Sequence, residues 1–527
     1  MAEEKKSRLY ALKPIIERWP AVSKPEGHVN FRTKILWTIF CLILYFILTN
    51  VIIFGLSDVT VDLFEQYRFI MAGASGSIMH LGIGPIVTAS IILQLFVGAK
   101  IIKLDLQKKE DKAIYQGTQK VLVIVMIVVE AVPQIFGYLA PSGDPLNPMT
   151  GGGLIQAVGG NIPLANLIIV VQLIIGALLV FFMDELISKW GIGSGISLFI
   201  AAGVSQAIFT GLFSWIPVQG FPTNPADPTW TLANPPGGVI PGTYFYSTSM
   251  SIGDITSYGY QTMFIGNPQI GYENAIVPLL GTILIFFIVV YAESSRIELP
   301  LAHGKVRGAR GRYPIRLIYA SNIPVILMAA LLANINMFAM LLWRSNLPLL
   351  GNQWWIGMYG KTSTQALAGG AWYLSSPGGV NHWLMPIMSG GGGGHAPWQF
   401  AVKVIIYLSI MIFGSILFAK FWIETTDMGP SAVARQIQSS GMQIPGFRRD
   451  PRVLRKVLER YIPVVTVIGG AAVGALAGFA DCVGTIGKAS GTGVLLTVGI
   501  MIRMYEDIAK EQAMEMHPVL RGFFGND

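Results

Sequence analysis

Apolar residues in this chain fall in long unbroken stretches, and the charged residues are confined to the gaps between them. Neither the strict alternation of a half-buried strand nor the three-and-four spacing of an amphipathic helix describes these runs. At about 20 residues per membrane span, the pattern predicts ten helices, running from Ile35 to Leu56, Ile83 to Val97, Val121 to Leu139, Leu164 to Leu186, Ile196 to Phe213, Val277 to Ala292, Ile318 to Trp343, Phe400 to Trp422, Ile462 to Phe479 and Thr492 to Tyr505. In lipid every backbone amide must be satisfied internally, which leaves helices or a closed barrel. The runs are too long for barrel strands, so an all-α membrane protein is expected. The runs starting at Ile83 and Val277 are short, as a tilted helix or half of a broken one would be.

Composition agrees. Of 527 residues, 52% are hydrophobic and 13% charged, about half the roughly 25% charged content of a soluble domain. The mean hydropathy is +0.56. The net charge of +8 carries less information than its distribution, because in membrane proteins Lys and Arg collect in cytoplasmic loops. Lys5, Lys6, Arg8, Lys13, Arg18, Lys24 and Arg32 precede the first run. Further clusters follow the second run (Lys100, Lys103, Lys108, Lys109, Lys112), the sixth (Arg296, Lys305, Arg307, Arg310, Arg312, Arg316) and the eighth (Arg435, Arg448, Arg449, Arg452, Arg455, Lys456, Arg460). The alternate loops hold almost none, so both termini are expected in the cytoplasm. No cleavable signal peptide is expected, since some thirty mixed residues precede a first apolar run longer than an h-region.

The external segments differ in character. Ser214 to Asn274 contains no Lys or Arg and is rich in Pro, Gly, Thr and Tyr, while Arg344 to Gln399 carries Trp354, Trp355, Trp372, Trp383 and the run Gly390 to Gly394. Both exceed ordinary loop length and are expected to form interfacial caps with aromatic anchors; the glycine run is expected to be a flexible tip.

The second run opens as LGIGPIVTASIILQLF from Leu81. Gly82, Gly84 and Pro85 suit a helix that starts there and disfavour one arriving from upstream. The preceding stretch, Asp62 to His80, is too short and too polar to span, and it includes the small residues Ala72, Gly73, Ala74, Ser75, Gly76 and Ser77. Irregular backbone at membrane depth is tolerated where it lines a cavity or is buried in protein, so a re-entrant plug and an ordinary external loop both fit. A second glycine-rich junction, WGIGSGISLFIAAG from Trp190, opens the fifth run; with no preceding strand it does not read as a nucleotide loop. Ile83 and Val87, like Ile196 and Ile200, lie one turn apart on a helix face, and periodicity alone makes them core residues.

Other chemistries find little support. The two cysteines, Cys41 and Cys482, match no disulfide framework or metal spacing, no HExxH motif occurs, and no histidine lies in a predicted span. No enzyme activity, metal or cofactor is expected. A secondary transporter, which also uses broken helices around a midplane site, remains the alternative, although Glu130 alone is a poor candidate for both substrate and ion.

LGIGPIVTASIILQL, GIGSGISLFIAAGVSQ, YASNIPVILMAALLANI from Tyr319 and GTGVLLTVGIMIRMYE from Gly491 together resemble the SecY family in its archaeal and eukaryotic-like branch. The resemblance implies a protein-conducting channel with two inverted halves: residues 1–213 with a plug at about 62–80, a connection at 214–274, and residues 275–527 with an external insertion at about 344–399. It implies an hourglass pore whose waist is formed by Ile83, Val87, Ile196, Ile200, Ile326 and Leu496. A lateral gate between the second and third spans and the seventh and eighth is also implied, with Thr88, Glu130 and Asn334 as its polar cluster. The implied partners are small single-span subunits of the SecE/gamma and beta types, signal sequences and nascent polypeptides, membrane lipid, and a ribosome docked through Arg307, Arg310, Arg312, Arg448 and Arg449. In the family the halves are joined by a compact hinge, whereas here Ser214 to Asn274 is long.

Overall fold

A computed structural model describes residues 8–18, 21–27, 29–56, 72–74, 76–99, 101–102, 104, 108–137, 139, 141, 153–221, 229–250, 260–267, 270–303, 310–316, 323–344, 353–360, 366–426, 428–439, 442–443 and 451–516. Its main helices are α1 (Phe31–Asn50), α2 (Gly84–Gly98), α3 (Lys109–Gly137), α4 (Ile162–Trp190), α5 (Gly195–Phe213), α6 (Ile276–Ser294), α7 (Ile323–Arg344), α8 (Pro397–Thr425), α9 (Pro451–Val483) and α10 (Gly491–Met516). Eight of these are long and apolar enough to cross a membrane. Helix α2 is shorter, at 15 residues, and α10 turns charged from Arg503 onward.

Local chemistry sets several ends. Gly82 at φ +53° turns the chain into α2, and Pro85 occupies the first turn, where its missing N–H costs nothing. Helix α4 starts at Asn161, whose side chain accepts from Leu164 N at 3.2 Å, an N-cap. The first run proves shorter than its hydropathy: α1 stops at Asn50, Val51 is extended, and the remainder of the expected span to Leu56 turns at Phe54 and Gly55. Ile53 N donates to Gly76 O at 2.8 Å and Ile78 N to Val51 O at 2.9 Å, so this apolar stretch satisfies its amides by pairing with the segment before α2. Gln172 of α4 holds it from the side, accepting from Phe54 N at 2.9 Å and donating to Phe54 O at 3.1 Å. Conversely, α3, α9 and α10 extend past their apolar runs into charged sequence, because a helix continues into water wherever propensity allows.

The chain is not purely helical. Strands β1 (Arg296–His303) and β2 (Arg310–Arg316) form an antiparallel hairpin after α6, and β5 (Met442–Gln443) pairs with β1 at Ala302↔Gln443 and His303↔Met442. Ile297, Leu299 and Leu301 alternate with Arg296, Glu298 and Pro300, a two-residue period too short to register among the long runs. The basic segments after α6 and α8 are thereby joined. A smaller sheet, β3 (Met358–Tyr359) with β4 (Ala366–Ala368), lies in the insertion between α7 and α8.

That insertion folds against the bundle. Trp372 is buried with Tyr359, Ala371 and Phe400, and Trp383 Nε1 donates to Cys482 O at 2.8 Å. The expected flexible glycine tip is a hydrogen-bonded turn: Gly390, Gly391, Gly393 and Gly394 all have positive φ, Gly392 bridges His395, and the His395 ring stacks on Trp372 at 3.9 Å. The segment between α5 and α6 packs Tyr246 on Tyr272 and reaches the insertion through Asn381 Nδ2, which donates to Ile265 O at 2.5 Å.

The halves meet along two lines: α2 and α3 against α7 and α8, and α1 and α5 against α10. Within the second half α8 and α9 approach closely because Gly470, Gly474 and Gly478 face α8; a Cβ at Gly474 would sit 2.5 Å from Met411 O.

Candidate pore and lateral seam

The six aliphatic positions lie on four helices. Ile83 caps the start of α2 and Val87 follows one turn on. Ile196 and Ile200 occupy the first two turns of α5, Ile326 the first turn of α7 and Leu496 the second turn of α10. Five are buried in one continuous apolar cluster and Ile196 packs against it. Such burial fits a closed constriction and ordinary core alike.

The polar trio converges. Asn334 Nδ2 of α7 donates to Thr88 Oγ1 of α2 at 3.0 Å across a buried contact. The Glu130 carboxyl of α3 stands beside Thr88. All three are at least nine-tenths buried. Glu130 Oε1, and Gln134 Oε1 one turn further along α3, have no hydrogen-bond partner among the described residues. Unsatisfied buried acceptors each cost about 1–3 kcal/mol, so this seam is held less tightly than continuous apolar packing would hold it.

Of the expected plug, Ser75 lies outside the described residues, as do residues 62–71. Ala72, Gly73, Ala74, Gly76 and Ser77 form a tight turn: Ala74 N donates to Met79 O, and Ser77 N to Ala74 O. Ala72 adopts φ +48° and is the one non-glycine residue at positive φ among those described. Its carbonyl accepts from Tyr45 Oη at 3.1 Å, and the Tyr45 ring stacks on Phe199 of α5 at 5.0 Å, beside Ile200. Sequence reading missed this contact and the Gln172 clamp, since neither a tyrosine nor a glutamine in an apolar run announces its partner. Of the arginines, Arg310 and Arg312 lie on β2, while Arg307, Arg448 and Arg449 lie outside the described residues.

A family model described as SecY matches residues 77–505, and one described as the plug domain of Sec61p matches residues 43–76. This chain belongs to the SecY family. It is 47% identical over 520 residues to the protein translocase subunit SecY of Haloferax volcanii, covering 98% of this chain and 99% of that protein. To the subunit of the same name in Archaeoglobus fulgidus it is 44% identical over 525 residues, with 99% of each covered. Among solved structures it resembles one described as a protein conducting channel, with a TM-score of 0.72 at 37% identity over 96% of this chain and 98% of that one. Sec61 in the canine ribosome-channel complex from the endoplasmic reticulum gives 0.70 at 37% identity, again over 96% and 98%. The SecY match begins at Ser77, so the described turn straddles the boundary between plug and channel body.

Proposed function

We propose that this chain is the pore-forming subunit of a protein translocon, conducting unfolded secretory polypeptides across a membrane and releasing apolar segments sideways into lipid. The observation that carries the reading is the Thr88–Asn334 contact: a polar pair bridges α2 and α7 at the junction of the halves, in a family whose solved members are protein-conducting channels. A segment exposed at that seam gains roughly 0.3–0.6 kcal/mol per Leu, Ile, Phe or Val on entering lipid, enough over one span to part a weak contact.

The waist is assigned to Ile83, Val87, Ile196, Ile200, Ile326 and Leu496. Branched aliphatic side chains close around a chain of varying width without binding it, and an apolar constriction stops ions by dewetting. Residues 72–77 are assigned to a plug. Loop charge favours cytoplasmic termini, and the basic segments joined by β1 and β5 then share the cytoplasmic face. Arg307, Arg310, Arg312, Arg448 and Arg449 there suit ribosomal RNA phosphate, which guanidinium groups bind bidentately. Two single-span subunits of the SecE/gamma and beta types complete the assembly.

The test is reconstitution. Liposomes holding the purified complex, energised from the ribosome side, are expected to protect a radiolabelled secretory precursor from protease. Accumulation of small solutes with no precursor protected would support a secondary transporter instead.

A further inference from the structure

Two carboxylates that the pore reading leaves without a role occupy matching places in the two halves. Asp184, near the end of α4, accepts from Ile196 N at 2.9 Å, twelve residues on, and also bonds the Gly195 backbone. Asp481, near the end of α9, accepts from Thr492 N at 3.0 Å, eleven residues on, and also bonds the Gly491 backbone. Helices α5 and α10 begin at Gly195 and Gly491. In each half, then, the helix before a waist-bearing helix supplies the carboxylate that caps it.

The glycines make the approach possible. A Cβ at Gly195 would lie 2.6 Å from Asp184 Cα, and one at Gly491 would lie 2.1 Å from the Ala480 carbonyl carbon. Both follow a serine; Ser194 makes no side-chain cap of its own, whereas Ser490 Oγ accepts from Gly493 N at 3.0 Å and shares the capping of α10 with Asp481. Around Asp184 the cations go elsewhere: its neighbour Glu185 pairs with Lys120 and Lys189. Around Asp481, Tyr407 Oη of α8 and Thr492 Oγ1 each donate to Oδ2 at 2.7 Å. The first amides of a helix lack intrahelical partners, so a side-chain oxygen placed there satisfies them as an N-cap does. A cap on the same helix fixes only that helix's end. One reaching across from the preceding helix fixes its height and rotation as well.

We propose that Asp184 and Asp481 are a symmetric pair of positioning residues that set the height of α5 and α10, and with it the closure of the waist at Ile196, Ile200 and Leu496. The inference rests on the pore reading above. The experiment compares Asp184→Ala, Asp481→Ala, Asp184→Asn and Asp481→Asn in the whole channel complex, with Ile196→Asn as a control for the waist itself. Resting conductance in planar bilayers, thermal stability and hydrogen exchange at the 195–196 and 491–492 amides are measured together. The alanine variants are expected to exchange those amides and conduct about fivefold more, the equilibrium change that loss of one helix cap brings. The asparagine variants, whose side-chain oxygen still accepts, are expected to restore the parent values. Should Asp481→Ala not fold, Asp184→Ala and Thr492→Val carry the test. Alanine variants that lose thermal stability while conductance stays at the parent level, with Ile196→Asn leaking, overturn this inference alone. If Ile196→Asn is silent too, the waist assignment falls and this inference with it.

Discussion

Asn334 Nδ2 lies 3.0 Å from Thr88 Oγ1, joining residues 246 positions apart in the sequence, and Thr88 Oγ1 itself lies 3.0 Å from Gly84 O one turn back along α2. A hydroxyl whose own proton is spent within its helix accepts from across the seam, which makes the hydrogen bond directional and easily broken when the helices shift. Replacing Asn334 with Leu substitutes apolar packing that tolerates small shifts. The expected result is a seam harder to open by about 1 kcal/mol, the net worth of one such polar exchange. Guest segments of graded leucine content should then need about two more leucines for half-maximal insertion. An unchanged threshold would remove Asn334 from the seam.

The waist is separated from ordinary core by polar substitution. Asn at Ile196 or Ile326 would cost about 1–3 kcal/mol if it buried an amide without partners. At a constriction wetted in turn by water and passing chain, the amide is solvated, so stability should stay within about 1 kcal/mol of the parent while ion conductance rises. Destabilised, non-conducting variants at both positions would return these side chains to the core.

Tyr45→Phe deletes the hydroxyl that holds the Ala72 carbonyl and keeps the ring stacked on Phe199. With the strained turn at Ala72 less firmly tethered, resting ion leakage should rise while detergent thermal stability falls by no more than about 1 kcal/mol. A variant as tight as its parent would show that the turn is held by its own backbone bonds.

Loop charge predicts sidedness. In a background lacking Cys41 and Cys482, cysteines placed at Lys108, Arg310 and Arg452 should react with an impermeant maleimide from the cytoplasmic side only, and one at Thr229 from the opposite side only. Labelling of the Arg310 and Thr229 positions from one side would overturn the orientation.

Charge reversal at Arg448 should weaken ribosome binding and lower its salt dependence, because a phosphate that the protein no longer neutralises keeps its counterion, and one fewer ion is released on binding. Equal affinity and an equal salt slope for Arg448→Glu would exclude that side chain from the interface.

The sequence by itself determined the class and most of the helices, because hydrophobic runs of bilayer length have one stable solution in lipid, and the Gly-Pro start of α2 fixed a helix end by backbone chemistry alone. It also marked Glu130, since a carboxylate within an apolar run is costly unless it serves a purpose; the same rule could have singled out Asp184, inside the fourth run, whereas Asp481 falls just past the end of the ninth. Hydropathy misjudged the end of α1, because Val51 to Leu56 is apolar enough to span yet pairs its backbone with residues 76–78. The charged extensions of α3, α9 and α10 went unread for the opposite reason, their helicity being independent of lipid. Only the tertiary structure decided which polar groups meet: Thr88 with Asn334, Tyr45 with Ala72, β1 with β5, and each aspartate with the helix after its own. Those pairings depend on the relative height and rotation of packed helices, set by where glycines let backbones approach, and spacing along the chain carries no record of either.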